Sequence, residues 1–239
     1  MKVHKLIILV LDYILFNLKF CNINFIFKFV QKYKVYFFIK NINNNFFKFN
    51  ISHINPIIFD VGGYKGEFSD LILKTLPNAK IFIFEPVYNY YKYLVKKFED
   101  NKNIKIFNFA LSGENTKKKI NYDDDKSSIY NLSVLSPGEL VNVISITDFL
   151  EQNEIKQVQL IKINIEGDEY PLLNHLINKN KIEVFDQMLI QFHFYKFENY
   201  INFKNLRSIL LKTHDEYYNL NFVWSKYIIK NSLIFGNKV

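Results

Sequence analysis

Between Asp60 and His193 the chain carries four short groups of polar residues whose types and spacing point to chemistry. The first is Asp60-Val61-Gly62-Gly63-Tyr64-Lys65-Gly66, which follows the apolar run Ile57 to Phe59 and precedes Phe68, Leu71, Ile72 and Leu76 at helical spacing. Glycine, lacking Cβ, permits a tight strand-to-helix turn and lets a ligand come close to the main chain. A dinucleotide site wants G-x-G-x-x-G with a pyrophosphate on the helix N-terminus. Here an acid holds the first position and the last glycine falls one residue late, which disfavours a nicotinamide-dependent oxidoreductase. Asp-x-Gly-x-x-x-Gly suits a ligand with an amino-acid end, whose cationic amino group Asp60 would take directly or through water.

Glu85 closes the second apolar run, Lys80 to Phe84, where an acid can accept both hydroxyls of an adenosine ribose. Taken alone, an acid at a strand end is more often a helix cap or solvated. In this order, with Gly62, Gly63 and Gly66 in the turn before it, the two groups make a nucleoside site. Asn108 and Ala110 follow at the end of the third strand, where an adenine would sit, although a plain strand end fits them as well. The third group, Lys162, Asn164 and Glu166, lies on one face by strand alternation and should reach the cleft at the carboxyl ends of the strands. Gln191 and His193 share a face of the next strand, and His193, titrating near neutral pH, is the natural proton acceptor, with a buried structural histidine as the alternative. For Glu169 a helix-terminus role is as good a reading as a catalytic one. Glu166, Asp168 and His193 are the conceivable metal set, but no ligand-spacing motif supports them and no metal is expected. His53, His175 and His214 lack such a context and read as structural.

The elements that must position these groups alternate between strand and helix, which argues for parallel βαβ units and a doubly wound α/β sheet covered on both faces. Strands are expected at Ile57–Phe59, Lys80–Phe84, Ile104–Phe109, Val141–Ile144, Gln159–Ile165 and Phe185–Phe194. A C-terminal antiparallel hairpin is expected from Leu220–Ile229 and Ser232–Phe235. Residues 113–139 have little apolar periodicity and read as a long loop or small hairpin insertion, a lid in function. Residues 1–54 read as a helical extension, and 55–239 as the catalytic domain.

The 239 residues suffice for one such domain with an appendage. The single cysteine, Cys21, points to a reducing, cytoplasmic compartment. Asp12 interrupts the apolar run Leu6 to Leu11, so neither a secretory signal nor a membrane span is expected. The net charge of +8 is concentrated at the start, where eight lysines face only Asp12 in the first fifty residues. That segment suits peripheral contact with an anionic membrane; the plainer reading is a helical extension with solvated lysines.

These blocks together resemble the FkbM-type methyltransferase family over roughly residues 57–195. Asp60 to Gly66 is similar to its glycine turn, Phe84-Glu85-Pro86 to its Phe-Glu-Pro, and Asn108 to Ser112 to its Ala-Leu-Ser segment. Ser127-Ser128 is similar to its serine pair, Ser145 to Asp148 to its Thr-Leu-Asp block, and Leu160 to Glu169 to its most specific motif, usually Lys-Ile-Asp-Val-Glu-Gly-Ala-Glu. The resemblance implies a seven-stranded class I methyltransferase fold, S-adenosylmethionine as donor with Ser128 among its contacts, and O-methylation of a sugar or polyketide hydroxyl. On this reading Asp60 and Glu85 fix the donor, and His193 or Glu166, beside Asn164 and Lys162, deprotonates the acceptor hydroxyl of a glycan or glycolipid precursor. Asn164 and Gln191 each stand where the family has a carboxylate, which shifts the proton chemistry onto Glu166 and His193. The alternatives are a protein that binds the donor without transfer, and a methyltransferase acting on nucleic acid. The latter is disfavoured because the lysines cluster outside the core and no base-reading motif is present.

Overall fold

The computed structural model describes residues 32–36, 38, 47–120, 138–194 and 197–230. They divide into two compact units at Phe49/Asn50. Residues 32–36 and 38 are helical, residues 47–54 are turn and irregular rather than helical, and the rest of the expected N-terminal helical extension lies outside the described residues.

The second unit is built on a seven-stranded sheet. Its strands are β1 (Ile57–Val61), β2 (Lys80–Phe84), β3 (Ile104–Phe107), β7 (Leu160–Ile163), β8 (Gln187–Ile190), β9 (His214–Leu220) and β10 (Trp224–Ile229), in the order β3-β2-β1-β7-β8-β10-β9. The first five are parallel, while β10 runs antiparallel to both β8 and β9. Strands β1, β7 and β8 are almost continuously apolar and buried, as strands covered on both faces must be. The helices are α1 (Glu67–Thr75), α2 (Tyr88–Lys97), α3 (Ile146–Gln152), α4 (Glu169–Asn178) and α5 (Phe197–Thr213). This is the doubly wound, mostly parallel sheet that the sequence predicts.

One face of β1 to β3 is packed with aromatic rings. Phe149 of α3 stands edge-on to Phe84 at 4.9 Å and Phe107 at 5.1 Å, and lies within 5.8–6.2 Å of Phe59, Phe82 and Phe109. Six of the 25 phenylalanines therefore meet on this face, each edge-on pair adding about 1 kcal/mol beyond its buried area.

Two expectations change. The segment after Phe107 leaves the main sheet: β4 (Ala110–Ser112), β5 (Thr116–Ile120) and β6 (Glu139–Ser145) form a separate sheet in the order β4-β6-β5. Within 113–139 the described part is thus a strand antiparallel to β6, the hairpin rather than the loop, and 121–137 lie outside the described residues. The expected C-terminal antiparallel hairpin is present as β9 with β10, and Ser232–Phe235 lies outside the described residues. The chain enters β9 directly from α5, whose sequence Phe197–Thr213 spreads its apolar residues with weak sidedness and gave no clear helical signal.

Candidate active site

The strand order reverses between β1 and β7, where an open parallel sheet splits its connections and leaves a crevice beyond the strand carboxyl ends. The cleft lies there. Its walls come from the ends of β1 (Gly62), β2 (Glu85) and β7 (Asn164, Glu166), and from the small sheet through Ala110 and Lys118.

The glycine turn is folded tightly onto its neighbours. Gly62 (φ 82°) lies so close to the β7 turn that a Cβ would sit 2.1 Å from the Asn164 carbonyl oxygen. Gly66 takes the left-handed conformation (φ 78°) as the residue before α1. The amides of Gly62 and Gly63 both donate to Phe84 O (3.0 and 3.2 Å), that of Gly66 to Gly63 O (2.8 Å), and that of Tyr64 to Glu85 Oε2 (2.8 Å). Four amides of the turn are therefore engaged within the protein, and Glu67 and Asp70 occupy the first turn of α1. A pyrophosphate finds no amide cradle here, in line with the spacing.

Asp60 does not face the cleft. It is 1% exposed and accepts hydrogen bonds from Ser69 Oγ (2.8 Å) and Lys162 Nζ (3.0 Å). Lys162 donates also to Gly62 O (2.6 Å). The two residues expected to touch donor and acceptor form instead a buried ion pair beneath the glycine turn, clamping β1 to β7. Strand alternation identified their face but not the partner that would claim it. Asn108 is half-buried, and its side-chain amide donates to Glu85 O (3.1 Å) and Pro86 O (2.9 Å), bracing the strand end. Ser128 lies outside the described residues.

Glu85 does line the cleft. Its Oε1 accepts the Val87 amide (2.9 Å), so each carboxylate oxygen holds one backbone N–H. Burial pushes this carboxyl up to about 7 against the lowering from those two amides. Across the cleft, Asn164 Oδ1 is buried with no hydrogen-bond partner, an expensive condition for an amide oxygen.

Glu166 sits between β7 and α4 with a left-handed backbone (φ 52°), a strained conformation for a residue with a side chain. Its Oε1 is 3.2 Å from His193 Nε2. On the other side of the ring, Glu169, fully buried, lies 3.3 Å from Nδ1, takes the His193 amide at 2.6 Å and accepts the Gly167 amide at 2.8 Å. Burial lowers the ring's proton affinity, but the two carboxylates outweigh it and hold His193 at about 10. At neutral pH the ring is an imidazolium that donates to carboxylates, not the free acceptor its residue type suggests. Glu169 is the partner that sequence reading left undecided; its position three residues past Glu166, in the first turn of a helix, was the available signal. Among the described residues no group of three His, Cys, Asp or Glu side chains is placed to hold a metal ion.

The methyltransferase FkbM domain model matches residues 60–220. No curated protein matches the chain. Among solved structures, a chain of a fibrillarin/Nop5p complex shares 10% identity over 74% of each chain with a TM-score of 0.46. The Methanococcus jannaschii fibrillarin pre-rRNA processing protein shares 11% over 76% of this chain and 70% of that one (TM-score 0.44). M. capricolum TrmK in complex with S-adenosyl-homocysteine shares 15% over 83% and 68% (TM-score 0.38). Likenesses this distant carry nothing about the substrate.

Proposed function

This chain belongs to the FkbM methyltransferase family and is an S-adenosylmethionine-dependent methyltransferase, and on that premise we propose that it methylates a hydroxyl of a sugar in a glycan or glycolipid precursor. The observation that carries the proposal is that a single cleft is lined by Glu85 on one side and by Glu166, backed by His193, on the other.

The donor end fits the residues present. Glu85 is held by two amides and keeps lone pairs for a vicinal diol, and its carboxyl, near 7, can also donate. Asn164 Oδ1 offers an unused acceptor to an ammonium or hydroxyl group. When bound, S-adenosylmethionine supplies an electrophilic methyl group on a sulfonium. The residues of this chain supply the rest.

Glu166 takes the proton of the acceptor hydroxyl as the oxygen becomes nucleophilic. Glu166, imidazolium His193 and Glu169 together carry one net negative charge, which the arriving proton neutralises. His193 holds Glu166 in place and Glu169 holds His193. The charged side chains described in the lining are Glu85, Glu166 and Asp168 against Lys118, a balance that favours a neutral polyol over a polyanion such as nucleic acid.

The test is label transfer from methyl-labelled S-adenosylmethionine to a panel of free, nucleotide-linked and lipid-linked sugars, with RNA and DNA alongside. Transfer to a sugar hydroxyl that falls at least about a hundredfold in Glu166→Gln supports the proposal. Label appearing on nucleic acid alone would overturn it.

A further inference from the structure

Among the described residues the small sheet and the Glu166 turn meet at one ion pair. Lys118 of β5 places Nζ 3.1 and 3.4 Å from the two carboxylate oxygens of Asp168, at the start of α4. Both residues line the cleft, and their side chains are only 23% and 10% exposed. Glu114 lies further from Lys118, at 3.9 Å, and is 68% exposed.

Two features mark this pair as more than a surface contact. Asp168 is the residue preceding α4, where an aspartate ordinarily caps the helix, yet its side chain makes no capping bond. Glu169 takes the neighbouring Gly167 amide, and the Asp168 carboxylate turns to Lys118. Among the described residues the small sheet shares no strand pairing with the main sheet, and its other contributions to the cleft wall, Ala110, Leu111, Ile120 and Val143, are apolar and non-directional. The Lys118–Asp168 pair is thus the ion pair that ties β5 to the strained turn carrying Glu166, while further along α4 His175 Nε2 lies 3.3 Å from Ser145 Oγ and 2.7 Å from Thr147 Oγ1.

We propose that Lys118 and Asp168 are positioning residues that latch the small sheet against the Glu166 turn and so hold the nucleoside ligand in the cleft. This rests on the cleft being the S-adenosylmethionine site. Ligand release then requires the latch to part, and release responds to salt, which screens a partly exposed pair.

The experiment is the dissociation rate of S-adenosylhomocysteine from the full chain, followed by stopped-flow fluorescence at low and high sodium chloride. Lys118→Met and Asp168→Asn are each expected to release the ligand about tenfold faster and to lose the salt dependence. The double exchange Lys118→Asp with Asp168→Lys restores slow release, which a general loss of packing would not. Single variants that release the ligand at the wild-type rate, or an exchange no slower than the singles, would overturn the latch while leaving the donor site standing. A wild-type chain that binds no S-adenosylhomocysteine would overturn the reading of the cleft, and the latch with it.

Discussion

Glu166 holds a backbone conformation that costs stability. Glycine adopts φ near 52° freely, so Glu166→Gly is expected to recover about 1 kcal/mol of strain above pH 10, where the His193 ion pair no longer contributes, while abolishing transfer. Thermal melts beside the label assay check both halves; a Gly variant destabilised even there would contradict the strain. His193 is the group whose titration the melts report. Its pKa rises from 6.5 to about 10 on folding, so the folded chain keeps a proton that the unfolded chain surrenders between those values. The stabilisation is complete below about pH 6.5 and is lost as pH climbs toward 10. Wild type should therefore lose more stability than His193→Gln between pH 7 and 10, by on the order of a few kcal/mol; parallel pH profiles would contradict the clamp. Beneath the turn, Asp60 and Lys162 are a buried pair, and removing one partner leaves a stranded charge. Lys162→Met should cost about 3–5 kcal/mol, and adding Asp60→Asn to it should recover part of that loss in urea melts.

At the scale of elements, the aromatic face explains why α3 must sit where it does. Phe149, 3% exposed, is the ring on which Phe59, Phe82, Phe84, Phe107 and Phe109 converge. Phe149→Ala is expected to cost about 3–5 kcal/mol, and denaturant unfolding that shows less than 1 kcal/mol would deny it a central place. The buried strands β1, β2, β7 and β8 were legible because continuous apolar runs ending in Gly, Pro or acid leave few other readings. The small sheet was not, because β5, Thr-Lys-Lys-Lys-Ile, has a single apolar residue and owes its strand to pairing with β6. The cleft lining was legible where a residue stands at a strand end, as for Glu85, Asn164 and Glu166. It was illegible where a partner distant in sequence decides: Asp60 with Lys162, His193 with Glu169, Lys118 with Asp168.

The whole molecule joins a strongly aromatic α/β unit to a basic N-terminal segment. Among the described residues no helix is long and apolar enough to cross a membrane. The eight lysines of the first fifty residues sustain the proposal that this segment meets an anionic surface. Phosphatidylserine vesicles should retain the wild-type chain better than one with Lys2, Lys5, Lys19 and Lys28 changed to glutamine, and equal retention would remove that proposal. The account as a whole turns on one cleft binding one nucleoside donor through Glu85. Calorimetric titration of the full chain with S-adenosylmethionine, wild type beside Glu85→Ala, measures this most directly. The account predicts one molecule bound per wild-type chain and a loss of affinity of about a hundredfold in the variant; equal binding by the two chains, or none by the wild type, would contradict it.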